Sequence, residues 1–114
     1  MTDKQRVIQE SVPGRQITIA HIIANPARKI YQKIGMLDFK GQSLGILTIT
    51  PSEAAIVASD IASKAAEISV VFLDRFSGAL VIAGDVMALE IAIEQVIQRL
   101  ASLLKITGTK ITRS

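Results

Sequence analysis

Residues 68–85 read ISVVFLDRFSGALVIAGD. Two apolar runs rich in valine and isoleucine flank a short polar stretch, Asp74-Arg75-Phe76-Ser77-Gly78. Runs this short and this β-branched predict strands over 68–73 and 79–83, joined as a hairpin through DRFSG. The loop gathers an acid, a base and a hydroxyl, which raises the alternative of a reactive loop. Its composition is that of a turn: Gly78 supplies a positive φ or a close backbone approach, and Ser77 caps locally. Asp74 and Arg75 are then expected to face solvent or a neighbouring subunit.

Downstream, Asp85 is an N-cap residue for a helix running to residue 104. Val86, Leu89, Ile93, Val96, Leu100 and Leu103 form its apolar stripe, and Glu90, Glu94 and Gln98 its wet face. Upstream, LGILTIT at 44–50 is a strand, and Thr50-Pro51-Ser52-Glu53 has the form of a capping box with proline in the first helical turn. On the helix that follows, Ala54, Val57, Ala58, Ile61, Ala62 and Ala65 share a small-residue face suited to lying close on a sheet. Earlier still, QITIAHIIA at 16–24 reads as a buried strand stopped at Asn25-Pro26, and PARKIYQKI at 26–34 as a short helix ended by Gly35. The tail KITGTKIT alternates weakly and predicts an edge strand. Together these elements predict an α+β sandwich, with helices on one face of a largely antiparallel sheet.

Residues 1–14 stand apart, because Pro13-Gly14 is a turn signal. Within them residues 6–11 are strand-like but coreless: one side carries Arg6, Ile8 and Glu10, the other Val7, Gln9 and Ser11. The division expected is an N-terminal strand and turn over 1–14 and one domain over 15–114.

Composition narrows the function classes. The chain of 114 residues is 49% hydrophobic and 20% charged, a lean surface that suits protein partners. Its +3 charge is spread without a basic cluster, which argues against nucleic acid. Without cysteine, disulfides, thiolate nucleophiles and cysteine metal sites are excluded, and a reducing cytosol fits. No run has the length of a signal peptide core or a membrane span, so a soluble intracellular protein is expected. Ser77, His21 and Asp74 are the residue types of a hydrolytic triad, but nothing in their spacing forms one, and His21 reads as a satisfied structural or interface histidine. One histidine with scattered carboxylates offers no metal site, and Gly108-Thr109-Lys110 lacks the earlier glycine of a phosphate loop. The expectation is no catalytic residue, no cofactor and no metal. A small-molecule-sensing α+β module is the alternative to an assembly protein.

Several motifs together resemble a known family. Leu44-Gly45-Ile46, the alanine-rich helix with Lys64-Ala65-Ala66, the Ser77-Gly78 hairpin, Gly84-Asp85 and the second helix are similar in order and spacing to the shell-protein (BMC) domain of bacterial microcompartments. ITIAHIIANPARKI looks like the piece that ordinary members carry last, and here it comes first. With VIQESVPGRQITIAHIIANP, GILTITPSEA and FLDRFSGALVI, the chain resembles the circularly permuted shell proteins of ethanolamine- and propanediol-utilization compartments; choline-utilization compartments use related shells. The resemblance implies a permuted, ferredoxin-like BMC domain in a structural, non-enzymatic homohexamer that tiles with other shell proteins in the bacterial cytoplasm. It also implies a docking peptide of an enclosed or associated protein as a partner, and neither nucleic acid nor membrane. By the same resemblance Arg6, Val7, Ile8, Gln9 and Glu10 would pair round the axis as an oligomeric β-barrel over the pore. Arg75, Phe76, Ser77 and Gly78 would form a pore-proximal hairpin. Lys64 matches the lysine at the hexamer edge, whereas Asn25 stands where ordinary members place an arginine before proline. DFKGQS at 38–43 matches a hinge-like region that bears on whether the hexamer is flat or bent.

Overall fold

The computed structural model describes residues 14–35 and 42–114. The expected barrel strand at 6–11, and all of DFKGQS except Gln42 and Ser43, lie outside the described residues. In chain order the elements are β1 (Gln16–Ile23), α1 (Arg28–Lys33), β2 (Ser43–Thr50), α2 (Ala54–Ala65), β3 (Ser69–Asp74), β4 (Ala79–Gly84), α3 (Val86–Leu104) and β5 (Thr112–Arg113). They build one five-stranded sheet in the order β3-β4-β2-β1-β5. Every pairing is antiparallel except that of β1 with β5.

Strand alternation sorts the side chains between two faces. One face carries Ala20 and Ile22 of β1, Leu47 and Ile49 of β2, and Leu80 and Ile82 of β4. These pack with Ala55, Ala58 and Ala62 of α2 and Leu89, Ile93, Val96 and Leu100 of α3 in one buried cluster. Each fully buried Leu, Ile or Val contributes roughly 1.5–3 kcal/mol, so this layer supplies most of the burial energy. Small residues set the spacing. A Cβ on Gly45 would come within 3.0 Å of Ile82 and 3.2 Å of Ile93, so the bare backbone there lets α3 lie close to the sheet.

The expectation of helices on one face holds for the two long ones only. Tyr31 of α1 is buried with Leu44 and Ala83, which alternate with the core-facing residues and so lie on the opposite face. Its hydroxyl donates to the Gln42 carbonyl. A six-residue helix cannot present a full stripe, and it contributes a single aromatic anchor.

Local differences have physical reasons. α2 starts at Ala54 with no side-chain cap bond. Instead main-chain bonds open the helix: Ala54 N–H donates to the Pro51 carbonyl at 3.0 Å and Ala55 N–H to that of Ser52 at 3.0 Å, a tight turn leading into α2. Ala55 joins the buried face and Val57 is 37% exposed, because the helix is rotated toward the sheet by its smallest side chains. α3 is capped as expected: the Asp85 carboxylate accepts from Ala88 N–H at 2.8 Å. Leu103, however, is 54% exposed. The chain reverses at Lys105 (φ 56°), and fully buried Ile106 occupies the core in its place. Arg15 then donates from Nη1 to the Leu104 carbonyl at 2.7 Å, satisfying the end of α3.

Candidate assembly site

The 75–78 turn is built by Asp74. Its Oδ1 accepts from Phe76 N–H and its Oδ2 from the Ser77 hydroxyl, both at 2.9 Å, while its carbonyl accepts from Gly78 N–H at 2.8 Å. These donors, Phe76 N–H first and the Ser77 hydroxyl second, hold the carboxyl below its ordinary value of 3.8. Ser77 caps Ala79 N–H only at 3.3 Å, so the organising residue is the aspartate. Gly78 takes φ +80°, and a Cβ there would stand 2.1 Å from the Ile49 carbonyl oxygen. Only glycine fits. Ile49 N–H also donates to the Gly78 carbonyl at 2.9 Å, locking the turn to β2. Arg75, with its guanidinium carbon 4.8 Å from the centre of the Phe76 ring, is left at the tip with a 79%-exposed aromatic.

Sheet register places the expected sites at two opposite ends. At the hairpin end lie the start of β1 and the end of β2, with Gln16 opposite Thr50 and Thr48 opposite Ala79. At the other end Ile23 pairs with Leu44 and Ser69 with Ala83. Asn25 follows β1 there, and Lys64 lies in the last turn of α2, shortly before β3. Lys64 is 77% exposed and meets Asp60 at 2.9 Å, one helical turn away.

His21 lies on the face opposite α2 and α3. Its Nδ1 is 2.6 Å from Thr112 Oγ1 and its Nε2 2.8 Å from Ser114 Oγ, so both ring nitrogens are occupied, as expected of a structural histidine. Ser77 is engaged by Asp74 instead; serine, histidine and aspartate are not brought into one chain of bonds. Among the described residues no cluster of three metal-binding side chains occurs, and no helix is long and apolar enough to cross a membrane.

Sequence reasoning missed one feature. β3 is an edge strand on which Val70, Phe72 and Leu73 are 39%, 52% and 37% exposed. A continuous apolar run gives no local sign of its place in the sheet, because exposure at an edge depends on what pairs beside it.

The BMC domain model matches residues 43–113, and the chain belongs to this family, that of the bacterial microcompartment shell proteins. Its function is that of a structural subunit of such a shell. It is 50% identical over 109 residues to the bacterial microcompartment shell protein PduU of Salmonella typhimurium (strain LT2), covering 96% of this chain and 93% of that protein. To the shell protein EutS of Escherichia coli (strain K12) it is 50% identical over 112 residues, 98% of this chain and 99% of that one. A solved structure described as a CutR flat hexamer superposes with a TM-score of 0.84 at 39% identity, over 96% of this chain and 99% of the other. The sensing-module alternative finds no support among these relatives.

Proposed function

We propose that this chain is a circularly permuted shell subunit whose homohexamer directs the 75–78 hairpin toward the symmetry axis and Lys64 and Asn25 toward the perimeter, where it tiles with other shell proteins. The observation that carries this reading is the separation of those two sets at opposite ends of one sheet. Permutation is supported by β1: it precedes the matched stretch 43–113 in sequence, yet lies inside the sheet between β2 and β5. β1 begins at the hairpin end, which in the proposed placement puts its first residue, Gln16, toward the axis. Six copies of the coreless strand 6–11 could there pair edge to edge and close into a barrel, and closure removes the unpaired edges a lone strand would expose. At the perimeter, Asn25 supplies an uncharged amide in place of the family's arginine, so contacts between neighbouring hexamers rest more heavily on Lys64.

Deletion of residues 1–12, followed by native mass spectrometry, is expected to leave hexamers intact, because the sheet and helices form the main interface. In the full-length protein the amides of Val7, Ile8, Gln9 and Glu10 should exchange slowly with deuterium. Fast exchange at those positions in a proven hexamer would remove the barrel from the proposal.

A further inference from the structure

On the helix-facing side, one row of register partners crosses the sheet from β1 to β3: Ala20, Leu47, Leu80, Leu73. The first three are at most 2% exposed, and Leu73, on the edge strand, is 37% exposed. At the other edge the row continues into the C-terminal segment. Gln16 is bridged to Thr107 and His21 to Thr112, pairs that are each 91 residues apart, which sets Ile111 level with Ala20. Ile111 packs against the core and also lines an open cleft of about 410 Å³ between α3 and residues 109–111. The cleft has an apolar floor of Ile97 and Ile111 beneath polar Glu94, Gln98, Thr109 and Lys110. An apolar centre inside a polar rim is how protein interfaces are commonly built.

We infer that the β3 edge, centred on Leu73, seats in the Ile97–Ile111 cleft of the next copy of this chain, joining the apolar rows of neighbouring subunits round the ring. The inference rests on the proposed placement of the hairpin at the axis. In a closed ring each subunit presents two different walls that meet at equal distance from the axis. Strands that run outward from the hairpin end keep the two ends of a transverse row at nearly equal distance, so Leu73 and Ile111 arrive at the same level. The adjacent row agrees in charge. It ends in Asp74 on the β3 side and, by the same 91-residue spacing, in Lys110 on the other, so an anion meets a cation when the walls close.

The chain has no cysteine, so introduced thiols report without background. Full-length Leu73→Cys/Ile111→Cys is expected to give, on oxidation, a denaturing-gel ladder reaching six chains, while each single variant stays a single chain. Because Ile111 is half-buried, a second pair on an exposed position, Leu73→Cys with Lys110→Cys bridged by a short bismaleimide, should give the same ladder. Hexamers by native mass spectrometry without a ladder from either pair would overturn the inference and leave the hexamer standing. Dimers from Leu73→Cys alone would overturn it too, since β3 would then meet its own copy across a two-fold axis. A wild-type protein that is not hexameric would bring down both this inference and the reading beneath it.

Discussion

The fate of DRFSG turns on the difference between what a residue offers and what its neighbours take. Asp74 carries a carboxylate, yet its oxygens face the turn's own donors, and the same bonds that hold the carboxyl below 3.8 tie charge to folding. A group whose value is depressed in the folded state contributes stability that is full above the unfolded value and disappears as the pH falls through the folded one. Asp74→Asn is therefore expected to lower the thermal midpoint at pH 7, and the gap from wild type should close below about pH 3.8. Equal midpoints at neutral pH would show that the amide serves the turn as well as the carboxylate. That a turn lay here was legible from Gly78; that aspartate rather than serine organises it was not, since both are turn formers and only the backbone's path decides which one reaches the free N–H groups.

Among the elements, the contrast is between the two long helices. For α3 an isolated Asp85 ahead of an apolar stripe was sufficient, and the carboxylate caps Ala88 N–H. Asp85→Ala should cost about 1 kcal/mol, read as a shift in the denaturation midpoint with unchanged slope. For α2 the capping-box pattern was present and the bonds are not: the helix begins one turn later, at Ala54, with Glu53 itself at the N-cap in helical φ/ψ, and main-chain bonds to the Pro51 and Ser52 carbonyls make the entry turn. The four longer strands were readable to within a residue, but of the tail expected as a strand over 105–112 only Thr112–Arg113 is regular strand and Thr107 makes a single bridge to Gln16, since weak alternation does not say how much of a segment finds a partner. The misplaced Leu103 and overlooked Ile106 have one cause: periodicity continues a stripe past the point where the chain reverses, and the αL residue that reverses it is Lys105, a type that rarely adopts that conformation.

For the whole molecule, the family was legible because order and spacing of motifs survive where single motifs are weak. That β3 lies at the edge of the sheet was not, since an edge strand and a core strand share one vocabulary. Lys64 tests the perimeter. Its pairing with Asp60 is exposed and stabilises the helix by only about 0.3–0.5 kcal/mol, so Lys64→Ala should leave hexamers whole in solution. Extended sheets under the electron microscope should become sparse; unaltered sheets would mean that the lysine does no more than decorate α2. The tail also has a mechanical meaning. β1 enters from the hairpin end, while the segment ending at Ser114 runs beside it toward the opposite end, stitched by bonds from Ile17 N–H to Thr107, Thr107 N–H to Arg15, Ser114 N–H to Ile22 and Ala24 N–H to Ser114 carbonyls. A stretch along the strands, drawing Arg15 one way and Ser114 the other, would load these bonds in shear. They would resist as a group instead of opening one by one like a zip, so the two ends of the domain are tied together along the direction of its strands.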